Sequence, residues 1–446
     1  MKVCLISLGC DKNLADSEIM ISILHEHGHS VVELEEEAEA IVINSCCFIN
    51  DAKEESINTI LECARYKECG LRYLIVAGCL AQRYPAEIQE AIPEVDVLLG
   101  TAAYADVAQA LDELEKTTEN PEKKVCFREL DYLPELTVKR GHFTGTSYAY
   151  LKIAEGCDKH CTYCVIPSIR GPYRSVPMER IIGEARELAR QGVKELILVA
   201  QETTLYGVDR YGEKTLPKLL KELCKIEGPE WIRLMYCYPE EITDELIAVL
   251  RDEDKIVKYL DMPVQHASDT VLKRMGRRTN KKELIAKIQK LRKEIPDIVL
   301  RTSLITGFPG ETEEDFEELC DFVREVRFER LGVFMYSKEE GTPAAKLKPQ
   351  ILKKVKKFRR DRIMQIQQEI AFEQAQNRVG SRIEVQIEGA IPEEAIYVAR
   401  AYMDAPGVDG YVFVKAARGK LSGTIIPVRV IGAKGYDLVA EEIIDE

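Results

Sequence analysis

No stretch of this 446-residue chain approaches the uninterrupted apolar length that a membrane span requires, and the apolar opening at residues 1–9 is too short for a secretory signal. Both absences point to a cytoplasmic protein with no membrane partner. Positive charge is in deficit as well: 62 Lys and Arg stand against 76 Asp and Glu, a formal net charge of -14. Bulk attraction to phosphate is therefore not its mode of binding, and a protein partner is expected over naked RNA. Thiols stay reduced in the compartment so implied, so fourteen cysteines do not build a disulfide framework. Metal or redox chemistry is the better account of them.

Three of the cysteines are spaced for that chemistry. Cys157, Cys161 and Cys164 stand at C-x3-C-x2-C in the run Gly156-Cys157-Asp158-Lys159-His160-Cys161-Thr162-Tyr163-Cys164. A 4Fe-4S cluster takes four ligands, so a protein that supplies three thiolates leaves one iron open to an outside molecule. A structural zinc closes a tetrahedron with four protein ligands and brings a second Cys/His pair some way downstream, and no such pair follows. His160 directly precedes Cys161 and is badly aimed for a place in the same tetrahedron.

With this length the chain is expected to hold two or three domains. In residues 1–140, apolar runs at 3–8, 40–43, 73–77 and 95–99 alternate with amphipathic helical stretches. Strand and helix at this spacing predict right-handed crossovers and a doubly wound parallel sheet, whose site lies at the carboxyl ends of the strands. Cys10, Cys46 and Cys79 each follow one of the first three strands, which makes a second three-cysteine set. Cys46 is preferred to its neighbour Cys47 because it keeps the equivalent offset from its strand, and two adjacent thiols in one loop cannot face the same point.

An acidic polar stretch at 113–121 and the segment 141–146 mark a linker. From 147 to 375 six further strands are expected, at 148–153, 195–200, 231–237, 257–264, 298–305 and 331–336, with helices such as 178–191 and 312–326 between them. Six such units predict a partial (β/α) barrel with its active residues at the carboxyl ends of the strands. Gln201 and Glu202 follow the second of these strands, and Gly307 and Gly310 lie in a loop after a later one. A basic-then-polar helix is expected at 346–374, its lysines a solvated face. Residues 376–446 switch to glycine-bounded strands at 382–387, 411–414 and 424–430, the pattern of a small β-barrel.

Several long blocks carry a family resemblance: Ser7 to Glu18 around Cys10, Gly78 to Tyr84 around Cys79, Glu155 to Cys164, Tyr259 to Ser268 and Thr306 to Thr312. Over nearly its whole length the chain resembles the radical S-adenosylmethionine (SAM) methylthiotransferases, with an N-terminal iron-sulfur domain, a radical SAM domain and a terminal TRAM domain. Within that family it is most similar to the RimO branch. The tRNA-modifying MiaB branch tends to carry an Arg-Glu pair soon after the second N-terminal cysteine, where this chain has Cys46-Cys47-Phe48-Ile49. Two departures from the RimO pattern are Asp11, where proline is usual, and Cys47, where glycine is usual.

The resemblance implies insertion of a methylthio group at the β-carbon of an aspartate in small-subunit ribosomal protein S-twelve, free or in the assembled subunit. It implies two 4Fe-4S clusters and SAM as cofactors, with an electron donor and a sulfur donor as partners and no tRNA as direct substrate. One cluster, on Cys157, Cys161 and Cys164, would bind and cleave SAM, and the other, on Cys10, Cys46 and Cys79, would hold or donate sulfur. Tyr163 is expected on the adenine side of SAM, and Gln201 and Glu202 near its polar groups. The terminal segment 378–446 has 8 Lys or Arg against 11 Asp or Glu, and an RNA-gripping barrel should be basic.

Overall fold

The structure, a computed structural model, describes residues 1–116, 124–136, 138–391 and 396–444. Its first unit is a six-stranded sheet with every neighbouring pair parallel, made of β1 (Lys2–Ser7), β2 (Ser30–Val32), β3 (Ala40–Ser45), β4 (Tyr73–Gly78), β5 (Val97–Leu99) and β6 (Lys124–Cys126) in the order β2-β1-β3-β4-β5-β6. Side chains alternate across a strand, and β3 shows the consequence: Ile41 and Ile43 enter one apolar cluster, Ala40 and Val42 the other. Both faces are therefore covered, as a parallel sheet requires. The edge strands β2 and β6, three residues each, are too short to show an alternating pattern in the sequence.

The acidic stretch expected as linker is partly helical. Residues 113–116 complete the helix Val107–Lys116, whose buried side is Val107, Ala108, Ala110, Leu111 and Leu114, and the polarity belongs to its outer face. Residues 117–121 lie outside the described residues. The segment 141–146 is irregular.

The central unit contains β7 (Tyr148–Lys152), the short antiparallel pair β8 (Ala154–Glu155) and β9 (Arg174–Ser175), then β10 (Glu195–Val199), β11 (Trp231–Leu234), β12 (Ile256–Asp261), β13 (Val299–Thr306) and β14 (Arg330–Met335). Six of these form one parallel sheet in strict chain order from β7 to β14, the partial barrel that the sequence predicts. The long helix starts later than its composition suggests, at Lys353–Asn377, after a short 3-10 turn at Pro343–Lys346. Pro349 accounts for the exclusion of 346–348, because a proline disfavours helical backbone at the residue before it.

The last unit is a closed five-stranded barrel, β15 (Arg382–Ile391), β16 (Ile396–Ala401), β17 (Val412–Lys415), β18 (Ile425–Lys434) and β19 (Asp437–Glu442), in the order β15-β16-β17-β19-β18. Its interior is continuous with one face of the central sheet: Ile197, Val199, Trp231 and Tyr259 share a cluster with Val385, Val412 and Val428. Polar contacts fix this docking. Glu195, wholly buried, accepts from Arg233 at 2.6 Å and from Arg400 at 2.7 Å, so one carboxylate joins the two domains. Asp404 pairs with Arg330 at 2.5 Å, and Asp409 accepts from Tyr259 at 2.7 Å. Part of the barrel's acidic surplus thus faces inward and is neutralised there. Among the described residues, no helix is long and apolar enough to cross a membrane.

Candidate functional site: two cysteine triads and the contact between them

Strand order places the first triad. In the order 2-1-3-4 the connections leave β1 and β3 in opposite directions, and ligands of open α/β sheets bind in the crevice at that switch. Cys10 lies just beyond β1, Cys46 just beyond β3 and Cys79 just beyond β4. Backbone room is part of the arrangement. Gly9 has φ +86, and a Cβ there would come within 2.4 Å of the Cβ of Cys46. Any side chain at position 9 would push the Cys10 and Cys46 loops apart.

Burial pushes the Cys46 thiol up to about 12, with Cys79 and then Cys10 adding to the effect. The Cys79 thiol is also raised by burial, while Arg170 pulls against it. Cys47 is buried and raised to about 12 by burial, next by Cys79, but it hydrogen-bonds Arg83 and packs in the apolar cluster with Ile41 and Ile60. The two adjacent thiols therefore have different surroundings. Cys46 feels both Cys79 and Cys10, and Cys47 is turned to Arg83.

The second triad sits on irregular chain after β8. Gly156, at φ +80, leaves space that a Cβ would fill to within 2.1 Å of the Pro172 carbonyl. Burial lifts the Cys157 thiol to about 11 and Cys164 to about 12, and each is raised further by Cys161. Thiols held this high ionise only when a metal or cation offsets the cost. His160 is exposed, at φ +50. Among the described residues, no three His, Cys, Asp or Glu side chains are placed to share one metal ion. A tetrahedral zinc would gather its thiolates within about 4 Å of one another, whereas a cubane cluster bonds each thiolate to a different iron. The donor chemistry of both triads fits clusters.

Around this loop, Tyr163 packs edge-on to Phe308 at 6.5 Å and 85°. Tyr238 comes within 3.7 Å of the Cys161 sulfur, and Arg277 lies over the Tyr238 ring at 4.2 Å. Gln201 donates to Glu155 at 2.7 Å. Glu202 is wholly buried; burial lifts its carboxyl to about 7, although Thr204 N–H donates to it at 2.9 Å. The Gln201 Oε1 and Glu202 Oε2 atoms are buried with no hydrogen-bond partner. Two orphaned acceptors beside the triad suit a ligand that brings donors such as an ammonium group. Gly307 and Gly310 make room for something else: a Cβ at 307 would meet the side chain of Lys356, and one at 310 the guanidinium of Arg274.

The two triads meet through a group that spacing did not single out. Directly after Cys164, the helix Ile166–Arg170 wedges Val165 and Ile169 into the apolar cluster of the N-terminal domain. Five residues of helix advance about 7.5 Å, which carries Arg170 from one triad toward the other. Its guanidinium donates to Asp16 at 3.1 Å, to Glu155 at 3.2 Å and to Asn13 Oδ1, and it faces Cys79 and Cys10. Lys152 donates to Glu155 at 2.8 Å and also to Asp16. Burial opposes the charge on Glu155, yet Lys152 and Arg170 hold its carboxyl below the usual range. Asn13 and Asp16 stand three and six residues after Cys10, and Glu155 two before Cys157, so proximity to the cysteines was the available signal.

A parallel six-stranded partial barrel carrying C-x3-C-x2-C, with a closed barrel docked on it, defines a radical SAM protein with a TRAM domain. Residues 151–323 match the Radical SAM superfamily, residues 379–443 the TRAM domain, and residues 2–100 a family described as Uncharacterized protein family UPF0004. The chain is 60% identical, over 98% of its length and 99% of the relative's, to the ribosomal protein uS12 methylthiotransferase RimO of Lachnoclostridium phytofermentans. It is 51% identical to the RimO of Acetivibrio thermocellus, over 99% of this chain and 98% of that one. The chain belongs to the RimO family of methylthiotransferases.

Among solved structures, the radical SAM methyltransferase TsrM of Kitasatospora setae, with cobalamin and a 4Fe-4S cluster bound, superposes at TM-score 0.56 and 16% identity over 77% of this chain and 76% of that one. The cobalamin-dependent radical enzyme OxsB superposes at 0.53 and 14% identity, over 77% of this chain and 54% of its own. At such identity the likeness speaks for the fold alone.

Proposed function

We propose that this protein inserts a methylthio group at the β-carbon of an aspartate in ribosomal protein uS12. One 4Fe-4S cluster is assigned to Cys157, Cys161 and Cys164, and a second to Cys10, Cys46 and Cys79. Membership of the RimO family along the full chain carries the reading, and two triads, each with two buried cysteines and one partly buried, joined by a single helix support it. A 4Fe-4S cluster held by Cys157, Cys161 and Cys164 would supply the electron for reductive cleavage of SAM, and with it the reactivity needed at an unactivated carbon.

The protein's own contribution is positioning. Gln201 and Glu202 present acceptors to the polar groups of SAM, and Tyr163, held by Phe308, closes the loop between Cys161 and Cys164. The contact of Arg170 and Lys152 with Asp16 and Glu155 keeps the two triads in one geometry. An electron donor and a sulfur donor complete the cytoplasmic reaction. tRNA is not the substrate in this reading, consistent with the absence of Arg-Glu after Cys46.

Mass spectrometry of ribosomal proteins from a strain lacking the gene tests the reading. One aspartate peptide of uS12 should lack a gain of about 46 Da, the replacement of hydrogen by SCH3, and the gene should restore it. Loss of a methylthio group from tRNA, with uS12 unchanged, would overturn the assignment.

A further inference from the structure

In a chain of net charge -14, residues 346–362 hold nine Lys or Arg and one acidic residue, Asp361. This run opens the long helix, and its placement works against the helix itself. Lys353, Lys354 and Lys356 occupy the first turn, which has no acidic residue, and Leu352 gives no side-chain cap. Cations at the positive end of a helix dipole are destabilising. Helix stability does not explain them.

A second basic run, 273–282, lies against the first. It holds six Lys or Arg and no acidic residue. Arg274 donates to the Pro309 carbonyl at 3.2 Å, and Gly310 N–H donates to the Pro349 carbonyl at 2.9 Å, so the loop at 309–310 ties the two runs together. Gly310, at φ +80, has no room for a Cβ because the Arg274 guanidinium fills the space. The second run also grips the cluster loop, where Thr162 N–H donates to Met275 at 2.9 Å, and the turn that leads into the first run adds a bond from Ala344 N–H to Thr162 at 2.9 Å.

The acidic helix Glu313–Val326 neutralises only part of this face. Glu313 is paired with Arg359, Glu318 with Lys281, and Asp315 with Ser268 and Thr312. Lys273, Arg278, Lys353 and Lys354 are exposed and have no ion pair among the described residues. The protein is therefore bipolar, acidic as a whole and basic beside the 157–164 loop.

We infer that this basic face docks on the phosphate backbone of ribosomal RNA, so that the enzyme meets uS12 in the assembled small subunit. The inference rests on the uS12 reading for its partner. A ribosomal protein in place is surrounded by RNA, and an enzyme that reaches it must present cations to phosphate around its active-site mouth. The overall negative charge limits grip on other nucleic acid, and the local patch gives contact where the target lies.

The test compares the wild-type holoenzyme with the variant K273Q/R278Q/K353Q/K354Q for binding to purified small subunits across a salt series. Four lost phosphate contacts should lower the slope of log affinity against log salt by about 3 and weaken binding at low salt at least ~10-fold. Iron content, reductive SAM cleavage and modification of free uS12 should stay at wild-type level. Unchanged affinity and slope would overturn the inference, as would wild-type binding to free tRNA as tight as to the small subunit. Failure of the wild type to modify uS12 in either form would instead sink the functional reading, with the binding data still deciding the surface.

Discussion

Arg170, on the helix that follows Cys164, donates a 3.1 Å hydrogen bond to Asp16, on the helix that follows Cys10. Each residue thus belongs to the local structure of a different triad, and their contact is wholly buried. A buried ion pair adds little over an apolar contact of the same shape, but removal of one partner strands the other charge at a cost of about 3–5 kcal/mol.

Arg170→Gln is therefore expected to destabilise the junction of the two domains by about 3 kcal/mol or more. It should also move the reduction potential of the N-terminal cluster in the negative direction, because a positive charge facing Cys79 and Cys10 favours the state with the extra electron. Thermal unfolding and a redox titration of each cluster check both effects. An unshifted N-terminal potential would show that the guanidinium does not face that cluster.

The triads should separate by mutation. Anaerobically reconstituted protein is expected to hold about eight irons. Alanine at Cys157, Cys161 and Cys164 should halve the iron and abolish reductive SAM cleavage; alanine at Cys10, Cys46 and Cys79 should halve it, keep SAM cleavage measurable and end methylthio transfer. Cys47→Ala should keep the full iron content, since that thiol is turned to Arg83. Loss of a cluster in Cys47→Ala but not in Cys46→Ala would exchange the two assignments.

What the sequence revealed follows from what is local in it. C-x3-C-x2-C lies within eight residues, and the strand-to-cysteine offsets of Cys10, Cys46 and Cys79 repeat a short pattern, so both could be read directly. The edge strands β2 and β6 lack the length to show a period, and β16 and β19 were missed in the barrel. Arg170, Lys152 and Asp16 left no periodic trace either, because their meaning arises only when separate loops meet across a domain boundary. The acidic count of the terminal barrel was correct, but its orientation was not legible: Asp404 and Asp409 serve the docking face.

Glu195 should prove essential to that docking. Arg233 and Arg400 both depend on its carboxylate, and all three side chains are fully buried. Burial opposes the charge, yet the two guanidinium groups hold the carboxyl below its ordinary range. Its stabilising effect is present above the unfolded value near 4.5 and is lost as pH falls through the lower folded value. Glu195→Gln is expected to cost about 3–5 kcal/mol at neutral pH, and to remove the protection of the 376–446 region in hydrogen exchange. Unchanged exchange in that region would show that the apolar contact alone holds the barrel.

Glu202 has the opposite sign. Burial raises its folded carboxyl from 4.5 to about 7, so between those values the native protein keeps a proton that the unfolded chain has lost. Stability of the metal-free protein should fall as pH rises through this window, by about 3 kcal/mol from this group alone, and stay lower above it. Glu202→Gln keeps an acceptor for the Thr204 N–H and removes the titration. The variant should match the wild type near pH 4 and be the more stable of the two at pH 8, as read from denaturant melts of the metal-free proteins. Equal stability at both pH values would mean that the carboxyl ionises as freely in the fold as in water, and that its burial is relieved by solvent.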